Sequence, residues 1–179
     1  MMTPIELVPL KCINCDALIP ADQDEVAWVC ESCGQGQQLV EEGLAPLQIH
    51  YARRILPSKV GRPFWVCDGQ VQIQRDVYPI QRPKTADAED FWSLPRRFVI
   101  PAFEVPLDDL TRLGSRYLLE PPYLQEGKPV KFETVTFSPA DIPALVEFIV
   151  IAVEAERRDK VKSIQMKIEL EDPELWILP

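Results

Sequence analysis

Four cysteines in two tight pairs constrain this chain more than any other feature: Cys12-x-x-Cys15, fourteen intervening residues, then Cys30-x-x-Cys33. A Cys-x-x-Cys turn lets both sulfurs swing to one side of a backbone loop, so each pair supplies two corners of a tetrahedron. Two such turns set face to face by a short hairpin close a four-thiolate shell. That shell suits Zn2+, an ion without redox chemistry that takes tetrahedral thiolate ligands at about 2.3 Å. The spacing falls near established zinc patterns. Residues 26–29, Val-Ala-Trp-Val, read as a strand feeding the second pair, and residues 22–25 as the hairpin turn. Gly34, directly after the second pair, suits a position of positive φ.

Three other uses of these cysteines compete with structural zinc. Disulfides within the pairs conflict with a cytoplasmic, reducing compartment, which is expected because nothing at the N-terminus reads as a secretory signal. Iron in a redox centre takes the same four thiolates, but the spacer is short and the turns lack the apolar dressing of an electron-transfer site. Catalytic zinc keeps an open position and commonly uses His or carboxylate ligands, whereas four thiolates close the shell. On Cys12, Cys15, Cys30, Cys33 and Gly34 the stretch resembles the zinc-ribbon (rubredoxin-like) family, with Asp16 standing where a Gly is often found. The resemblance covers about residues 10–40 and implies a metal-stapled module with those four cysteines as ligands. Forty residues bury too little surface to fold unaided, so the metal serves as the module's core.

At 179 residues the chain exceeds a single ribbon by far. The expected division is a zinc ribbon over residues 1–44 and a second domain over 45–179, with Gly36, Gly43 and Pro46 marking the linker. No run of apolar residues is long enough to span a membrane. Charge divides with the chain: residues 1–43 carry eight acids against Lys11 alone, a net −7. Four thiolates on a divalent ion add about −2. Such a surface repels phosphate, which disfavours nucleic acid as its partner. Residues 44–86 reverse the sign, with Arg53, Arg54, Lys59, Arg62, Arg75, Arg82 and Lys84 against Asp68 and Asp76, a net +5. These bases are read as solvated strand faces or a dock for the acidic ribbon; a patch for anionic lipid or nucleic acid is the sharper reading.

Taken in order, residues 3–10 are expected beside the ribbon hairpin, and residues 47–56 alternate as a strand. Residues 64–76 alternate most clearly, with Trp65, Cys67, Val71 and Ile73 on one row and Asp68, Gln70, Gln72 and Gln74 on the other. One wet face implies an antiparallel sheet. Gly69 suggests a bulge, and Cys67 reads as a core residue. His50, the only histidine, reads as a strand residue and not a ligand. Residues 77–95 form an excursion with a short helical turn. Phe91 and Trp92 on it either pin the loop to the core or anchor a partner.

A third strand is expected over residues 97–103, then a helix opened by Pro106 and ended by Pro121. A fourth strand follows over residues 128–137. Ser138, Pro139 and Asp141 signal the start of the next helix, running to about residue 158. That helix is apolar round most of its circumference, through Phe148, Val150 and Ile151. Either the sheet and first helix both cover it, or it lies at a subunit interface. Strict alternation over residues 160–170 and a last strand from Glu174 complete an α+β domain, β-β-β-α-β-α-β-β, with two helices on a mostly antiparallel sheet.

A search for catalytic motifs returns no Gly-rich phosphate loop, no nucleophile elbow and a single histidine. The expected role is a non-catalytic, cytoplasmic, zinc-binding adaptor or accessory subunit with a protein partner or a second copy of itself. The alternatives are a nucleic-acid-associated factor using the basic surface from Arg53 to Arg62, and an enzyme whose site is built from unmarked carboxylates.

Overall fold

A computed structural model describes residues 10–56, 58–78, 85–157 and 161–179. The expected segment over residues 3–10 therefore lies outside the described residues except at Leu10. The N-terminal part forms a three-stranded antiparallel sheet of β1 (Ala27–Val29), β2 (Gly36–Val40) and β3 (Gly43–Pro46). The remainder is a five-stranded sheet with three α-helices, so the α+β class stands.

The second sheet is built on β5 (Arg62–Val77), sixteen residues long. One edge of β5 pairs antiparallel with β6 (Arg96–Pro101). The other edge carries β7 (Val161–Leu170) and then β8 (Glu174–Leu178), both antiparallel to it. β4 (Ile49–Tyr51) pairs parallel with β8, which places the C-terminal strand inside the sheet. Gly69 faces Leu170 and Val66 faces Glu174, so two residues of β5 lie opposite three of its partner, Glu171, Asp172 and Pro173. The extra residue that Gly69 suggested thus sits on the opposing strand, at the proline that cannot donate to a ladder. Gly69 itself is required by close approach, since a Cβ there would lie 2.5 Å from Leu170 Cδ2.

The first half of β5 is covered on both faces. Phe64 packs edge-on against Phe103 and Tyr117, while the Trp65 indole N–H donates to the Phe137 carbonyl at 2.7 Å. The excursion after β5 resolves into α1 (Thr85–Trp92), where Ala88 and Trp92, one turn apart, are both buried. α2 (Leu107–Leu119) starts after Pro106, which occupies the cap and not the first helical position, and stops before Pro121. α3 (Ile142–Ala155) follows a single 3-10 turn over Pro139–Asp141. There the Ser138 backbone N–H and hydroxyl both donate to Asp141 Oδ2, at 2.7 and 3.0 Å. α2 and α3 meet so closely that a Cβ on Gly114 would lie 2.4 Å from Ile149 Cδ1. Of the apolar residues spread round α3, Val150 is fully buried, while Phe148 and Ile151 remain 45% exposed.

Residues 128–137 do not form the expected fourth strand. The segment alternates like one, yet its backbone bonds go to three different elements. Gly61 takes Lys131 and Glu133, Val26 takes Val135, and Ala102 takes Thr136 and Phe137. No single partner runs alongside, so only isolated bridges form at Phe132 and Val135. The segment instead laces the ribbon's β1 to the main sheet, and Ala27 is part of the central core.

Candidate metal centre

The two cysteine turns are built alike. In the first, the Cys12 N–H donates to the Ala17 carbonyl at 2.9 Å and the Asp16 N–H to the Cys12 carbonyl at 3.0 Å. In the second, the Cys30 N–H donates to the Gln35 carbonyl at 2.9 Å and the Gly34 N–H to the Cys30 carbonyl at 2.8 Å. The residue after each pair must take positive φ, 58° at Asp16 and 77° at Gly34. Aspartate is among the few side chains that tolerate this region, so Asp16 fills the glycine's place in the first turn.

These turns bring Cys12, Cys15, Cys30 and Cys33 together, with all four ligand sulfurs within 4.8 Å of one another. Cys12 lies 3.6 Å from Cys33, and Cys15 lies 3.6 Å from Cys30. A tetrahedron of thiolates at about 2.3 Å from a central ion has edges of about 3.8 Å, so the donor set fits a divalent metal. Cys12 and Cys30 are buried, whereas Cys15 and Cys33 face solvent. The Asn14 N–H lies 3.4 Å from Cys12 Sγ. Without metal the sulfurs share protons unequally. Cys33 is lowered to about 6, chiefly by the Asn14 side chain and then the Gln35 backbone. At Cys15 the Ala17 backbone pulls downward, but the neighbouring sulfurs and burial together push the thiol up to about 12. A bound cation would displace those shared protons.

Gln37, which has no signal in the sequence, fixes the centre to the sheet. It is fully buried on β2, and its Oε1 accepts the Ile13 N–H at 3.1 Å.

The other singled-out residues lie away from the sulfurs. His50 stacks on Trp176 with ring centres 4.8 Å apart and bonds through Nδ1 to Glu126. Cys67 is buried, and burial pushes its thiol up to about 12, as suits an inert core residue. Trp92 pins α1 to the core, its indole N–H donating to Glu154 Oε1 at 2.8 Å. Arg75 is buried against Glu154, Arg62 lies over the Phe103 ring and 3.7 Å from Glu133, and Arg53, Arg54 and Lys59 are exposed. Arg82 and Lys84 lie outside the described residues.

Besides a cleft of about 600 Å³ lined by Val29, Gly34, Pro46 and Tyr51 among others, two adjoining clefts flank the ribbon. The larger, about 620 Å³, separates β1 from residues 129–134 and is lined by Trp28, Val29, Tyr51 and Phe132 among others. The smaller, about 330 Å³, shares Glu25, Glu133 and Thr134 with it and adds Asp22, Asp24 and Glu104. Burial holds the Glu25 carboxyl above the usual carboxylate range. Among the described residues, no helix is long and apolar enough to cross a membrane. Compared with known proteins, the chain matches no family model, no curated protein and no solved structure.

Proposed function

We propose that the four cysteines hold structural Zn2+ in a zinc-ribbon module, and that the protein is a non-catalytic cytoplasmic adaptor or accessory subunit of a protein assembly. The observation that carries this reading is the convergence of four cysteine sulfurs within 4.8 Å, a group that no histidine or carboxylate joins among the described residues. Four thiolates satisfy a tetrahedral ion completely and leave no position for a substrate or an activated water, which favours a structural ion over a catalytic one. Zinc is preferred to iron because the spacer is short and the turns lack the apolar dressing of an electron-transfer site, with Cys15 and Cys33 facing solvent. The ribbon is joined to the main sheet through Val26 and Val135, so ordering it also orders the clefts beside it.

The test is light scattering on purified zinc-loaded protein, followed by affinity capture with the wild-type chain and with Cys12→Ser. The reading expects a self-associated species or a stoichiometric partner that the Cys12→Ser chain fails to hold. A stable monomer that retains no partner contradicts it.

A further inference from the structure

Residues 129–134 have a strand's alternation, with Val130 and Phe132 half-buried between exposed Lys131 and Glu133, yet only one of their edges is used. Lys131 and Glu133 bond through their backbones to Gly61, whereas Phe132, which points the other way along an extended chain, and Thr134 make no backbone bond among the described residues; the alternation breaks before Val135, whose carbonyl accepts from the Val26 N–H. The facing edge, β1, pairs with β2 on one side; on the other it meets this segment around Val26 and Ala27, and the Val29 backbone has no partner there among the described residues. Two unpaired strand edges therefore diverge from the Ala27–Val135 bridge, with the larger cleft between them. Unpaired backbone beside an apolar floor is the setting in which an extended peptide adds as a strand.

Charge selects the occupant. The floor is Trp28, Tyr51 and Phe132, with Lys131 on one wall, and the end beside the Ala27–Val135 bridge opens onto the smaller cleft, whose lining holds five carboxylates and, among the described residues, no lysine or arginine. Arg62, 3.7 Å from Glu133, is paired with one member of that set. We propose that this cleft binds an extended, basic segment of a partner protein, which pairs its backbone with the Phe132–Thr134 edge, seats an apolar side chain on Trp28, Tyr51 and Phe132, and directs lysine or arginine toward Asp22, Asp24, Glu25, Glu104 and Glu133. The inference rests on the adaptor reading and names where and what it grips.

The experiment is a fluorescence-anisotropy titration of the zinc-loaded full chain at low salt. Three labelled decapeptides are used: alternating lysine and valine, the same sequence with N-methylated backbone on one edge, and alternating glutamate and valine. The proposal expects the first to bind, the second to lose about tenfold or more, and the third to bind no better than background. Glu133→Lys, at a side chain 46% exposed and checked for an unchanged thermal unfolding midpoint, should weaken the first peptide about tenfold, with a further loss on raising salt. The proposal is overturned if the basic peptide binds no tighter than the acidic one, if N-methylation changes nothing, or if Glu133→Lys is without effect. A self-associated protein whose assembly the peptide does not disturb, and which does not bind the peptide, also overturns it. Peptide failure alongside stoichiometric partner capture removes the cleft and leaves the adaptor reading standing; absence of any partner removes the adaptor reading.

Discussion

Arg75 Nε lies 2.9 Å from Glu154 Oε2, with both side chains wholly withdrawn from solvent. The two atoms form a charge pair and not an aligned hydrogen bond. The other carboxylate oxygen is better served, accepting from Trp92 Nε1 at 2.8 Å and Arg157 Nε at 2.7 Å. Three side chains, Arg75 of β5, Trp92 of α1 and Arg157 just after α3, are thus held by one buried carboxylate of α3. Glu154→Gln should cost about 3–5 kcal/mol in urea unfolding, because it removes the carboxylate charge that faces the buried Arg75 guanidinium. Adding Arg75→Met should recover much of that loss, and a single-variant loss under about 1 kcal/mol would show the pair to be dispensable.

The equivalence of Asp16 and Gly34 gives a second test. A Cβ at Gly34 would meet open space, so the cost of Gly34→Ala is conformational alone. It should destabilise the metal-bound ribbon by about 1–2 kcal/mol. Asp16→Gly should instead be neutral or stabilising by up to about 1 kcal/mol, since it relieves the same φ. Competition for metal with a chelator reads both changes.

Gly114 and Ile149 set the spacing of α2 on α3. Gly114→Ala should cost about 1–3 kcal/mol through overpacking against Ile149 Cδ1 and Cγ1. Ile149→Val removes Cδ1, so the double variant should be more stable than the two single losses summed; simple additivity in thermal unfolding contradicts the contact.

Asp68 and Arg97 pair across β5 and β6 at 2.8 and 2.7 Å. The Arg97 hydrogen bond holds the Asp68 carboxyl below its ordinary 3.8. A lowered carboxyl contributes stability above the unfolded value and loses it as pH falls from there through the folded one. Both side chains are partly exposed, so the pair contributes no more than about 1 kcal/mol. The stability gap between wild type and Asp68→Asn should be present at pH 7 and close below about pH 3.8; a gap that persists in stronger acid rules out this origin.

What could be read from the sequence was local. The cysteine turns, the alternation of β5 and β7, the proline stop after α2 and the Ser138 start before α3 each depend on residues a few positions apart. Other features depended on partners distant in the chain. Glu154 reads as an ordinary helix-surface charge until Arg75 and Trp92 are brought to it. A last strand from Glu174 is expected from the sequence, but not that β4 will pair parallel on its far side. Residues 128–137 carry a strand's pattern, and the structure distributes their bonds over Gly61, Val26 and Ala102. Gln37 had no sequence signal, because its task is to hold the first cysteine turn through a single backbone N–H.

Metal analysis of the full chain, purified without added metal and followed by cobalt substitution, tests the central claim most directly. The account predicts about one zinc per chain, and a cobalt form with the intense absorption of a tetrahedral thiolate site that Cys12→Ser and Cys33→Ser each lose. Stoichiometric iron, less than one metal per chain, or a cobalt spectrum indifferent to those substitutions would contradict it.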